Sequence, residues 1–233
     1  MKTFLSIGSG AGIGFATAAR FAREGFRIVL SSRSPAKAQD LADRLERTGY
    51  PVGVRTVDCA DPGSITALIA EVERQFGHID VLHYNAASMR KATLAEQPRD
   101  TFTGDLAVNI GGALIAAQAV AEQMSRRRSG TILLTGGGYS LAPNPQFLSL
   151  SIGKAGIRAL ALGAFETLKQ KDIHIGTVTV QVAIKPDSVD AEAVAELFWQ
   201  LHSQPVAQWT AEVTYPGWVE RRSADDRIEA RSA

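Results

Sequence analysis

Apolar residues recur along the chain in two alternating rhythms. Short runs such as Thr3–Ile7 (TFLSI), Arg27–Ser31 (RIVLS), Val52–Val57, Val81–Tyr84, Thr131–Thr135 (TILLT), His174–Val182 and Glu212–Tyr215 have the length of buried strands, and most of them are rich in β-branched or aromatic residues. Longer segments with helical spacing stand between them. The clearest holds Ile65, Leu68, Ile69, Val72 and Phe76, all on one face of a helix. Helices are also predicted over Ile13 to Arg23, from Pro35 through Leu41 and Leu45, over Phe102 to Met124, over Gln146 to Lys169 and over Ala191–Gln200. Pro35 suits a first helical turn, where a missing N–H costs nothing.

Strands alternating with helices imply βαβ units and a parallel sheet covered on both faces. The predicted fold is α/β, a single doubly wound Rossmann-type three-layer sandwich with a parallel sheet of about seven strands. Residues 1–219 form one dinucleotide-binding domain that includes the substrate site. Residues 220–233 form a charge-rich, apolar-poor tail, expected to fray or to pack on a neighbouring subunit. Trp199, Trp209 and Trp218 read as packing or interface residues.

Composition removes several function classes. Of 233 residues, 45% are hydrophobic and 21% charged, which excludes a disordered chain. The net charge of +1 provides no field to draw the protein onto nucleic acid or an anionic membrane. The Arg126–Arg128 cluster suits a helix C-terminus instead. The longest apolar run, Ala107 to Val120, is interrupted by Asn109 and Gln118 and is too short to span a bilayer. The start of the chain resembles a signal peptide only superficially, because Gly8, Gly10, Gly12 and Gly14 break its apolar stretch. Cys59 is the single cysteine, and His78, His83, His174 and His202 lack metal-ligand spacing. No metal and a cytoplasmic location are expected.

The chemistry begins at the glycine loop Gly8-x-x-x-Gly12-Ile13-Gly14, between the first strand and the first helix. Backbone N–H groups and the helix dipole attract a pyrophosphate there. The end of the second strand then selects the ribose. A 2′-hydroxyl wants a carboxylate, but Ser31-Ser32-Arg33-Ser34 offers none, and Arg33 suits a 2′-phosphate. NADP is the expected cofactor, with NAD as the alternative.

These motifs together resemble the short-chain dehydrogenase/reductase family over nearly the whole chain. The family's Gly-x-x-x-Gly-x-Gly loop matches Gly8, Gly12 and Gly14. Its adenine-contacting Asp matches Asp58, and its Asn-Ala stretch after the fourth strand matches Asn85 and Ala86, followed by Ala87. The resemblance makes Asn109 the helix Asn of the catalytic tetrad and Lys154 its nicotinamide-ribose Lys. The departures fall on the chemistry: Leu150 stands where the family has its proton-donating Tyr, and Gly137 where it has its Ser. The Pro-Gly pair after the sixth strand is replaced by Val180-Gln181, and the substrate-covering segment is shortened to Ala183–Asp190.

Leucine carries no proton, so the proton relay is altered. Tyr139 and Tyr84, near the carboxyl ends of strands, and Ser151, on the helix face of Lys154, are the candidate substitutes. Two functions follow. One is an NADP-dependent oxidoreductase moving a hydride to or from a small carbonyl or alcohol. The other is a non-catalytic NADP-binding sensor or scaffold subunit. A homodimer or homotetramer is expected, because the helices carrying Ala107–Val120 and Ile152–Ala164 are small and apolar around more of their circumference than one core face requires.

Overall fold

The structure is a computed structural model, and it describes residues 1–216. The proposed 220–233 tail and Trp218 lie outside the described residues. Seven strands form one parallel sheet: β1 (Thr3–Ile7), β2 (Arg27–Ser32), β3 (Val52–Thr56), β4 (Val81–Tyr84), β5 (Gly130–Thr135), β6 (Ile173–Val180) and β7 (Glu212–Tyr215). Their order across the sheet is β3-β2-β1-β4-β5-β6-β7, parallel at every pairing. The winding reverses between β1 and β4, which opens a crevice at the carboxyl ends of those strands, where ligands bind in such sheets.

Alternation along each strand divides the core into two layers. On β1, Phe4 joins one layer with Ile28, Leu30, Val81, Leu133 and Phe198, whereas Leu5 and Ile7 join the other with Leu82, Ile132 and Ile175. Successive side chains of a strand point to opposite faces, so a sheet covered on both sides buries the inner strands almost throughout, while the edge strands β3 and β7 are largely half-buried. The helices α1 (Ile13–Arg23) and α7 (Val189–Ser203) cover the Phe4 face. The helices α3 (Pro62–Phe76), α5 (Gly112–Arg127) and α6 (Leu148–Lys169) cover the other. The helix α2 (Pro35–Glu46) follows β2, with Pro35 in its first turn as predicted.

The structure adjusts several predicted boundaries. The helix predicted from Phe102 to Met124 is α4 (Phe102–Leu106), a π-helical turn (Ala107–Gly111) and α5 in continuous succession. The helix predicted from Gln146 begins at Leu148, because Phe147 is not helical and the Asn144 side chain accepts the Gln146 N–H at 2.9 Å. Strand β6 ends at Val180 rather than Val182: the Gln181 N–H still pairs with Tyr215 O at 2.7 Å, after which the chain turns away.

The helical runs 102–127 and 148–169 are, by length and composition, sufficient to cross a membrane, which Ala107–Val120 alone is not. Both lie against the sheet and supply core residues, among them Ala113, Ala116, Ile157 and Ala161.

Candidate cofactor and catalytic site

The glycine loop is built by close contact. Gly8 has a φ of +83°, and a Cβ there would sit 2.4 Å from Ala86 N, so only glycine fits. Gly8 N and Ser9 N both donate to Ser31 O, which pins the loop to the end of β2. The Asn85 side chain donates from Nδ2 to Gly8 O at 2.9 Å and ties the loop to the end of β4. Asn85 and Ala86 thus form the back wall of the loop.

Among the described residues, the backbone N–H groups from Gly10 to Gly14 close no hydrogen bond, and no side chain caps α1. This row of free donors at a helix N-terminus is a cradle for a dinucleotide's phosphates, and the residues present fit that group. Ile184, in the segment between β6 and α7, stands over the loop: a Cβ on Gly12 would lie 3.9 Å from its Cγ2. That segment is anchored by a 2.6 Å ion pair between Asp187 and Arg44 of α2. Arg33 is exposed just past β2, and its charge acts on the Cys59 thiol, next to Asp58. Asp58 Oδ1 accepts from Ala60 N at 2.9 Å, which holds the turn after β3.

The half expected to be catalytic is organised by the π-turn. Asn109 is buried and clamps the chain after β4, accepting from Ser88 N at 2.7 Å and donating to Ser88 O at 3.1 Å. Helix α6 packs on this turn through glycines: a Cβ on Gly153 would sit 2.3 Å from Asn109 Cβ, and one on Gly156 would sit 2.8 Å from Ile110 Cγ1. Two of the small positions of α6 therefore serve packing within the chain.

Lys154 extends from α6 to the end of β5, where Nζ donates to Thr135 O at 2.6 Å. Burial lowers its pKa to about 8. Its stem covers Gly137, where a Cβ would lie 3.2 Å from Lys154 Cγ. Leu150, one turn earlier on α6, is buried and presents only hydrocarbon.

The candidate substitutes have other partners. Tyr84 is buried, donates to Val108 O at 2.7 Å and has its pKa pushed far up by burial, so it supports the π-turn. Ser151 donates to Phe147 O at 2.9 Å and accepts from Asn144 N at 3.0 Å, a helix-start arrangement. Tyr139 is half-buried, stacks on Phe147 with ring centroids 5.9 Å apart and accepts from Asn144 Nδ2 at 3.3 Å.

Two polar groups of the site carry no signal in the local sequence. In the first, buried His83 meets Thr135 Oγ1 at 3.0 Å through Nε2, and Thr135 donates to Asn85 Oδ1 at 2.9 Å, so a polar chain links the core to the glycine loop. Burial first, and Lys154 second, lower the His83 pKa to about 3, which keeps the ring neutral. The second is Asp105, a buried carboxylate that accepts from Ser88, Arg90, Gln97 and Ser149. Those hydrogen bonds outweigh its desolvation and hold its pKa down to about 2. Its partners come from three separate segments, so nothing in the sequence around Asp105 marks it.

Known proteins share this architecture. The chain is 28% identical over 178 residues to the 3-oxoacyl-[acyl-carrier-protein] reductase FabG of Staphylococcus aureus, covering 76% of this chain and 72% of that protein. A crystal structure of a short-chain dehydrogenase from Rhodopseudomonas palustris superposes with a TM-score of 0.84 at 25% identity, covering 93% of this chain and 99% of the other. A metagenomic short-chain oxidoreductase in complex with NADP gives a TM-score of 0.84 at 21% identity, covering 91% and 96%. The family model for short chain dehydrogenases matches residues 2–198. Because that match spans most of the chain, the chain belongs to the short-chain dehydrogenase family of NAD(P)-binding oxidoreductases.

Proposed function

We propose that this protein is an NADP-preferring oxidoreductase that acts on a small carbonyl or alcohol, with Lys154 in place of a phenol as its proton carrier. The observation that carries this reading is Lys154 itself. It reaches the end of β5 with a pKa lowered to about 8, within reach of both protonation states near neutral pH. A scaffold gains nothing from a desolvated lysine at this position, so the catalytic reading is favoured over a sensor or scaffold subunit.

The free N–H groups of Gly10–Gly14 hold the phosphates, and Arg33 pairs with the 2′-phosphate. A bound nicotinamide supplies or takes the hydride. Lys154 Nζ gives a proton to the carbonyl oxygen in reduction and takes it back in oxidation. Leu150 excludes water from the relay position. Asn109 holds the Ser88 segment that borders the site. The family's Tyr and Ser positions, Leu150 and Gly137, contribute no hydroxyl.

The chain works as a homodimer or homotetramer in the cytoplasm. Leu114 of α5 and Ile152 and Leu162 of α6 are exposed apolar side chains that support an interface on those helices. Calorimetry with NADPH and NADH on the wild type and on Arg33→Ala tests the cofactor. NADPH binds about ten- to a hundredfold tighter in the wild type, the worth of a charge-assisted pair, and the preference is lost in the variant. Single-turnover hydride transfer on a panel of carbonyls tests the reaction. Equal cofactor affinities, or no transfer to any carbonyl, overturn the corresponding half.

A further inference from the structure

An open cavity of about 520 Å³ lies between the chain that follows β4 and the start of α6. That volume is in the range of small-ligand sites. Arg90, Lys91, Thr93 and Glu96 line one side and Gln146 lines the other. The two sides are joined by an Ala92–Phe147 bridge and by Ala92 N donating to Gln146 O at 2.8 Å. Gln146 stands four residues before Leu150 and eight before Lys154, so the cavity flanks the helix that carries the relay.

Arg90 is held rigidly at this cavity. Its Nε donates to Asp105 Oδ2 at 2.8 Å and its Nη2 to Asp105 Oδ1 at 3.3 Å. Asp105 is itself fixed by Ser88, Gln97 and Ser149, so it would remain hydrogen-bonded without the arginine. Arg90 Nη1 has no hydrogen-bond partner among the described residues, and the side chain is 36% exposed. A guanidinium clamped along one edge and open along the other is preorganised for a planar anion. Lys91 adds a second cation. The one carboxylate among the lining residues, Glu96, is an anion held down by Thr93 N at 3.0 Å and Thr93 Oγ1 at 2.9 Å, with the Lys91 charge also acting on it.

We infer that Arg90 and Lys91 form an anion-recognition subsite, and that the substrate is a carbonyl or alcohol that also carries a carboxylate. This rests on the oxidoreductase reading for its chemistry, but the subsite is testable without turnover. The probes are levulinate, its methyl ester and inorganic phosphate, titrated calorimetrically into the protein with and without NADPH. Levulinate is expected to bind at least tenfold tighter than the ester and tighter than phosphate. Lys91→Gln and Arg90→Lys are each expected to lower the levulinate-to-ester affinity ratio at least threefold. Arg90→Lys keeps a cation beside Asp105 for folding, and Lys91→Gln leaves the Asp105 network intact. Equal affinity for acid and ester, a ratio unchanged in both variants, or tighter binding of phosphate overturns the assignment. Failure of NADPH to bind overturns the cofactor reading alone, because levulinate is also titrated without it.

Discussion

Lys154 occupies the space beside Gly137: a Cβ on that glycine would stand 3.2, 3.3 and 3.4 Å from the Cγ, Cδ and Cε of the lysine. The missing side chain at the end of β5 and the position of the lysine are therefore one feature. A serine there has to displace the lysine stem by a few tenths of an ångström, while Nζ is held by Thr135 O.

Leu150→Tyr and Gly137→Ser consequently act in opposite directions. Leu150→Tyr places a phenol beside an ammonium and is expected to raise NADPH-dependent ketone turnover about 10–100-fold, within the range of general acid catalysis. Overpacking this buried position costs about 1–3 kcal/mol of stability. Gly137→Ser crowds Lys154 and is expected to lower turnover alone and to reduce the gain when the two are combined. Initial rates and thermal melts on the four proteins check this, and a double variant faster than Leu150→Tyr contradicts it.

Reduction is expected to lose activity as pH rises through about 8. In the proposed relay Lys154 donates only when protonated, and burial puts its pKa near that value. Oxidation is expected to gain activity over the same window, because the neutral amine is the acceptor. Steady-state pH profiles of kcat in both directions read this. Lys154→Met should abolish the limb along with most of the activity.

Acid is expected to destabilise the fold well above the range where carboxylates titrate. Burial lowers the pKa of His83 to about 3 and of His202 to about 4, and lowers that of His174 as well. Each group has a folded pKa below its unfolded value near 6.5, so the unfolded chain takes up more protons in this window. Their contribution is complete above pH about 6.5 and is lost as pH falls toward 4. Thermal melts from pH 7.5 to 4 follow the loss. His202→Asn should make the slope shallower, and a melting temperature flat over that range is incompatible with neutral buried rings.

Gly153→Ala is expected to cost about 1–3 kcal/mol, because its Cβ would meet Asn109 Cβ at 2.3 Å with backbone close behind. The displaced π-turn should also loosen the Asn109–Ser88 pair, so the KM for the carbonyl rises more than the affinity for NADPH changes. Gly163→Ala, with no atom within 4 Å of its Cβ, should be neutral or slightly stabilising as a helix substitution. Urea titrations of the two variants separate the cases.

The layered fold is written in the order of residues along the chain. Alternating strand runs and 3.6-residue spacing are local patterns, and a chain that repeats them has one economical way to bury both faces of its sheet. The same order also located the glycine cradle, since Gly8, Gly12 and Gly14 between a strand and a helix are a contiguous signal. Arg33, Asn109 and Lys154 were legible as candidates through their fixed offsets from those elements. What each polar group touches depends on how distant segments meet in the fold. Tyr84 and Ser151 read as spare hydroxyls, yet the fold commits one to Val108 O and the other to Phe147 O and Asn144 N. Gly153 and Gly156 read as positions available to an interface, yet they admit the π-turn. Asp105, with partners at Ser88, Arg90, Gln97 and Ser149, had no local signature at all. Its role depends on three segments meeting at one buried carboxylate, and hydrogen bonds between such distant segments are set by packing rather than by spacing along the chain.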